Sequence, residues 1–328
     1  MSYKNLDTED FLVSVDSITS TVWSDETVAL TTFFTSSAAS TNDPYYINVY
    51  KTTGLSDIQF AVAYGDEDGL GSVYYNPQVP GASPTRTVYG QFRNLIYGDE
   101  NLDFNFGGTT TNFFWALSIE RARYKEKLLP GSLNLKISGS NGDIFSLTDN
   151  STQVTTDTFL ECGRVYQLVS GSDGTSYDGG TGYSTASGSY GLFLPDISTI
   201  VLNPLAFSGS IAYNRTTNAA GDNITTMFNA ISGSGAASFE VNSEETLTSD
   251  YVFIRARNSE FNYSENPSFI SGSTGDVLFA SQINSPQTYV TSVGLYNNVN
   301  ELLAVAKLSK PLTKDFTKET LLRVKLDF

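Results

Sequence analysis

Short runs of alternating apolar and polar residues recur from residue 11 onward, and they predict strands rather than helices. Phe11–Ile18 (FLVSVDSI), Val28–Thr35 (VALTTFFT), Tyr45–Tyr50 (YYINVY) and Ile58–Tyr64 (IQFAVAY) are separated by Ser, Thr, Asn, Asp and Pro clusters, the spacing of sandwiches and barrels. Between Gly65 and Ser83 the pattern gives way to a long loop, of the kind that serves as a binding element or an arm. An aromatic cluster (Phe104, Phe106, Phe113, Phe114, Trp115) leads into a strand with Leu117 and Ile119. Another strand starts at Leu133, Leu135 and Ile137 after a turn at Pro130-Gly131. One helix is predicted near 223–231, capped by Asp222 or Asn223, with Ile224, Met227, Phe228 and Ile231 spaced along one face. Tyr251–Arg257 (YVFIRAR) alternates again.

The clearest alternation lies in Pro286–Phe328. Two β-rich runs joined by a turn precede a lysine-rich connection and a last strand, in which Leu322, Val324, Leu326 and Phe328 alternate with Arg323, Lys325 and Asp327. One face of that strand is expected to be buried and the other wet. A strand running to the last residue is expected to dock on its own sheet or on a neighbouring chain. Val293, Leu295, Leu302, Val305 and Leu308 read as core.

Composition agrees with a mainly β fold. There are 19 Tyr, 21 Phe and 27 Gly, together with many Thr, Val and Ile, which favour strands and turns. At 328 residues the chain has room for two β-sandwich-like or barrel-like domains, although one large β domain also fits. Ser170–Ser189 (SGSDGTSYDGGTGYSTASGS) is nearly free of large aliphatic residues and reads as a flexible loop or linker. The expected division is therefore a β-rich region at 1–169, the linker at 170–189, and a C-terminal β domain at 190–328 carrying the one short helix.

Charge narrows the partners. The formal net charge is −16. Residues 301–328 hold six basic and four acidic residues, so the first 300 carry the other 13 basic and 31 acidic groups. Such a surface repels phosphate backbones and argues against direct nucleic-acid binding. Arg121, Arg123, Lys125 and Lys127 form the one dense basic patch, partly offset by Glu120 and Glu126. With no phosphate loop beside it, the patch reads as a solvated or interface face toward an acidic partner or another copy. Lys307, Lys310, Lys314 and Lys318 read the same way. No run is apolar enough for a transmembrane helix, and the first residues, MSYKNLDTED, do not resemble a secretory signal. The sequons at Asn150, Asn214, Asn223 and Asn262 are then chance matches.

Catalytic chemistry is hard to find. The chain has no His, which removes the commonest general base and transition-metal ligand. Cys162 is the single cysteine, so a disulfide within the chain or a thiolate cluster is ruled out, and it reads as a small core residue. Asp66-Glu67-Asp68 invites a calcium reading, but Leu70 stands where a ligand would be needed and the terminal Glu is missing. No nucleotide or cofactor motif is present. A glycosidase-type carboxylate pair stays open, since the separation of two carboxylates lies in three dimensions. Tyr45, Tyr46, Tyr74 and Tyr75 suit a core or interface first and a host-glycan platform second.

Several segments resemble virion structural proteins of contractile-tailed bacteriophages, particularly those of marine cyanobacteria. They are EETLTSDYVFIRARNSEFNYSENPSFI (Glu244–Ile270), Thr288–Phe328, IERARYKEKLLPGSLNLKISG (Ile119–Gly139) and YGLFLPDISTIVLNP (Tyr190–Pro204). VGLYNNVNELLAVA (Val293–Ala306) is similar to a strand–turn–strand motif of phage tail-fibre and baseplate proteins. The resemblance covers about half the chain, and residues 1–100, outside it, read as an added module. It implies a non-enzymatic subunit without cofactor, made in host cytoplasm, whose partners are copies of itself and other virion proteins of the tail, baseplate or neck. The interface residues expected on this reading are Leu322, Val324, Leu326, Phe328, Lys307, Lys310, Lys314, Arg121, Arg123, Lys125 and Lys127. The alternative is a receptor- or glycan-binding module of a fibre or baseplate.

Overall fold

The apolar runs of the middle of the chain are buried on both sides of one large sheet. The computed structural model describes residues 3–35, 46–54, 56–72, 75–76, 78–79, 83–217, 222–233 and 238–327, and the fold is mainly β. The chain divides into two units, one comprising Ile18–Glu245 and the other Met1–Ser17 with Thr246–Phe328.

The larger unit is built on a curled 13-stranded sheet. Across it run Ala29–Leu30, Ser238–Glu240, Asn134–Ser138, Ile144–Asp149, Gly163–Ser172, Gly191–Leu194, Thr199–Leu202, Phe113–Ile119, Ile58–Asp66, Tyr46–Tyr50 and Phe34–Thr35. Paired neighbours are antiparallel, for example Phe60↔Ile119 through Asp66↔Phe113. Side chains of one strand point alternately to opposite faces. From Phe113–Ile119, Phe113, Trp115, Leu117 and Ile119 therefore enter one apolar cluster while Phe114 and Ala116 enter another. The run FFWAL is continuous because neither face is left to water.

A helix covers each face. Asp222–Ser232 sets Ile224, Met227, Ala230 and Ile231 into the first cluster, in agreement with its apolar spacing. Pro84–Tyr97, on the second face, was not expected. It buries Val88, Tyr89 and Ile96 there. Its composition, rich in Thr, Val, Tyr and Phe with Gly90 in the middle, favours strand, and burial overrides that preference. Its limits are those of a helix: Ser83-Pro84 opens it, and Gly98 closes it at φ 65° with its N–H donating to Asn94 O at 2.9 Å. Gly65 admits the helix to the sheet, since a Cβ there would lie 2.8 Å from the Phe114 ring and 3.1 Å from Tyr89 Cα.

The expected linker at 170–189 is part of this sheet unit, and the boundary drawn there is incorrect. Ser170 N donates to Gly182 O and Tyr177 N to Ser170 O. The Asn203 side-chain amide donates to Ser187 O and Ser189 O, at 2.8 and 2.9 Å. Backbone hydrogen bonds replace the apolar contacts that this segment lacks. Cys162 sits half-buried beside the second cluster, and burial pushes its thiol up to about 11.

In the smaller unit Phe11–Thr21, Asn242–Ala256 and Thr320–Asp327 lie side by side in that order. The long strand begins in the larger unit, where Ser243 and Glu244 pair with Leu128 and Lys127. Gln287–Tyr296 and Leu302–Asp315 form a separate two-stranded hairpin, as the strand–turn–strand pattern predicts. Asn297 builds its turn, its Oδ1 accepting from Val299 N and Glu301 N at 3.0 and 2.8 Å.

Candidate assembly interface

The last strand alternates as its sequence says. Val324 is buried, Leu322 and Leu326 are half-buried, and Arg323, Lys325 and Asp327 are exposed. Phe328 lies outside the described residues. Register with the long strand runs from Ser249↔Asp327 to Ala256↔Thr320, and Val252↔Val324 is its buried pair. On the opposite face Tyr251 carries two cations, Arg323 at 5.4 Å and Lys325 at 5.9 Å from its ring centre. Lys325 also pairs with Asp327 at 2.8 Å, and that bond raises the pKa of its ammonium.

The N-terminal strand is the opposite case. Phe11, Leu12, Val13 and Val15 are all at least half exposed, Val15 at 63%, so apolar residues on both faces meet water. Its 11 residues contain no Lys, Arg or Pro, and those are residues with which sheets protect an edge. The hairpin also exposes apolar side chains, although its second strand carries Lys307, Lys310 and Pro311. Val293, Leu295 and Leu308 are half-buried, while Leu302, Leu303 and Val305 are exposed at 53%, 68% and 62%. The expectation that Leu302 and Val305 are core residues is thus corrected. In a sheet of only two strands one face has nothing to pack on, and such ribbons are marginal alone in water.

The lysines divide. Lys307 and Lys310 are exposed on the hairpin. Lys318 is exposed beside Asp315, at 3.4 Å. Lys314 is not an interface group. It is fully buried, and its ammonium donates to Asn258 O, Asn262 Oδ1 and Asp315 O at 3.1, 2.9 and 2.9 Å. Those bonds tie the hairpin base to the turn that follows the long strand, where Phe261 is held at φ 53° and its carbonyl accepts from the Thr288 hydroxyl at 2.6 Å. A lysine four residues from Lys310 was drawn inward because three oxygen acceptors converge on one point, which alternation does not reveal.

The basic patch also finds its partners within the larger unit. Lys125 pairs with Glu245 at 2.8 Å, Lys127 with Glu126 and Glu244 at 3.5 and 3.9 Å, and Arg123 approaches Asp57 at 4.0 Å. Arg121 stacks on Tyr124 and donates to its carbonyl. Expected to meet an acidic neighbour, the patch instead meets acidic groups of its own chain. The acidic triplet is occupied too. Asp66, fully buried, accepts from Arg215 Nε at 2.6 Å; Asp68 accepts from Arg215 Nη2 at 3.1 Å; and Glu67 pairs with Arg93 at 3.1 Å. Burial pushes the Asp66 carboxyl up while Arg215 and the N–H groups of Leu70 and Asp68 pull it down, with a net rise. Sequence reasoning missed Arg215, 149 positions from Asp66. No group of metal-ligating side chains occurs among the described residues.

The 65–83 loop lines a cavity of about 320 Å³ with Glu67, Asp68, Tyr75, Asn76, Val79, Ser83 and Arg86. Tyr45 and Tyr74 lie outside the described residues, and Tyr46 is exposed. Among the described residues no helix is long and apolar enough to cross a membrane. No protein-family model, curated protein or solved structure matches the chain.

Proposed function

We propose that the protein is a non-enzymatic structural subunit of a large assembly, held by β-edge pairing and by aromatic and aliphatic side chains. The segment resemblance points to the tail, baseplate or neck of a contractile-tailed phage. One observation carries the reading: the smaller unit exposes Phe11, Val13 and Val15 on one strand and Leu302, Leu303 and Val305 on a two-stranded ribbon. Exposed apolar side chains gathered on these strands mark a site of association. Other virion proteins and copies of this chain are the partners it fits. The test is to locate the chain in purified particles, then to compare incorporation of wild type with Leu303→Lys/Val305→Lys, checking the fold by circular dichroism. The chain should be present in particles, and the folded variant should be lost from them. A chain absent from particles, or a variant incorporated as well as wild type, sinks the proposal.

A second reading, a receptor- or glycan-binding module, rests on the cavity beside Tyr75. Glycan-array binding that disappears in Tyr75→Ala supports it, and a blank array leaves assembly alone.

A further inference from the structure

The smaller unit's sheet has two open edges of opposite character. Its order places the long strand between the N-terminal strand and the last strand, so each outer strand has a single sheet neighbour among the described residues. Within the N-terminal strand Phe11, Val13 and Val15 alternate with Asp16, and within the last strand Leu322, Val324 and Leu326 alternate with Arg323 and Lys325. Each edge strand thus carries an apolar row on one side and its charged groups on the other, with Leu12 and Leu321 also exposed on the charged side.

The charges differ in sign. The N-terminal strand carries Asp16 alone and follows a turn holding Asp7, Glu9 and Asp10. The last strand presents Arg323 and Lys325, with Asp327 already paired to Lys325. Pairing two N-terminal strands sets carboxylates beside carboxylates, and pairing two last strands sets Arg323 and Lys325 beside their own copies. Like charges placed opposite each other destabilise a ladder, and opposite charges support it. Pairing the last strand of one copy with the N-terminal strand of the next meets neither penalty. It sets Arg323 and Lys325 beside Asp16, and the row Leu322–Val324–Leu326 beside Phe11–Val13–Val15.

From this complementarity we propose that copies of this chain join head to tail, the last strand of one adding to the N-terminal strand of the next as a continuous sheet. The proposal rests on the assembly reading and names the partner as a second copy. A head-to-tail contact is heterologous, so it closes into a ring or grows into a filament, and it does not stop at a two-fold dimer.

The test uses the full-length chain, with mass followed by light scattering against concentration. Wild type should grow with concentration past the dimer or form one closed ring. Asp16→Lys alone, and Arg323→Glu/Lys325→Glu alone, should each raise the concentration at half-assembly by about tenfold or more. An equal mixture of the two variants should regain wild-type assembly, because alternating copies restore opposite charges at every junction. Circular dichroism checks each fold, and Val13→Asn, which blocks the apolar row without changing the charge, decides the matter where a charge variant misfolds. A wild type that stays monomeric, a simple dimer, or a mixture no better than its components overturns the proposal. A monomer that still enters particles removes the head-to-tail contact and leaves the assembly reading standing; a monomer absent from particles removes both.

Discussion

The two units solve the same problem in opposite ways. In the larger one the central strands bury both faces, and Trp115, Tyr64, Phe60, Phe114 and Phe193 are among its largest fully buried side chains. In the smaller one Val252 and Val324 are covered, yet Val13, Val15, Leu303 and Val305 of equal hydrophobicity stand in water. Apolar residues in the first region hold one chain together; in the second they stand exposed, and on the proposed assembly reading they hold several. A substitution should therefore read out as stability in one region and as association in the other.

The largest contrast comes from pairing Trp115→Ala with Leu303→Ala. Trp115 is fully buried, and its indole N–H donates to Asn223 O at 2.9 Å. Its truncation should cost about 3–5 kcal/mol in chemical unfolding, with no specific effect on association of the molecules that stay folded. Leu303→Ala should move stability by less than about 0.5 kcal/mol and weaken association. A reversal, with Leu303 mattering to folding, would mean that the hairpin is packed within its own chain.

A smaller effect tests how the larger unit handles charge. Arg215→Ala leaves Asp66 buried without its cation, at a cost of about 3 kcal/mol. Burial already raises the Asp66 pKa, and losing Arg215 raises it further, so the folded variant binds the proton more tightly than the unfolded chain. Stability of the variant should recover as pH falls and decline as pH rises through the folded pKa. Asp66→Asn/Arg215→Met, which removes both charges, should be closer to wild type. Equal loss in the single and double variants would show that Arg215 matters through its stacking on Phe113, 4.5 Å from the ring centre, rather than through charge.

Lys314 and Lys307 bring the comparison inside one hairpin. Lys314→Met takes the donor from three oxygens, that of Asp315 buried, and should destabilise the smaller unit by about 1–3 kcal/mol, seen as faster amide exchange around Asn258 and Phe261. Lys307→Met should leave exchange unchanged. Matching exchange in both variants would show that the Lys314 bonds do not hold the turn.

What could be read from the sequence follows the range over which each feature is determined. The hairpin, the last strand, the Pro130-Gly131 turn and the helix around Met227 depend on neighbours a few positions apart, and periodicity reports those. The helix Pro84–Tyr97 was hidden because its residues prefer strands and only the sheet beneath it selects the helix. The domain boundary was misplaced because Ser170–Ser189 is ordered by hydrogen bonds with distant partners such as Asn203, and composition does not record them. At the candidate interface the alternation of Leu322, Val324 and Leu326 was legible. The exposure of Val13, the burial of Lys314 and the pairing of Lys125 with Glu245 were not, since each is set by contacts between segments far apart in sequence.

The smallest effect separates carboxylates within the larger unit by the direction in which they respond to acid. Burial works to raise Asp196, but Arg164, at 2.7 Å through its guanidinium and 2.7 Å through its backbone N–H, outweighs it and holds the pKa below the usual carboxylate range. The stability it contributes is present above the unfolded value of about 3.9 and is lost as pH falls through the folded pKa. Asp178 is lowered in the same way, first by the Gly180 N–H. Asp149, fully buried, is raised by burial despite the N–H groups of Gly131 and Ser151 that it accepts from at 3.0 and 3.1 Å. Its contribution runs the other way, so stability falls as pH rises from about 4 toward its folded pKa. The larger unit should then be most stable in mild acid. Asp196→Asn should cost about 1.5 kcal/mol at neutral pH and flatten the decline below pH about 4. Asp149→Asn should flatten the decline above it. Urea unfolding at a series of pH values checks both, and an acid limb unchanged in Asp196→Asn would show that the Arg164 pair contributes nothing to the unit's stability.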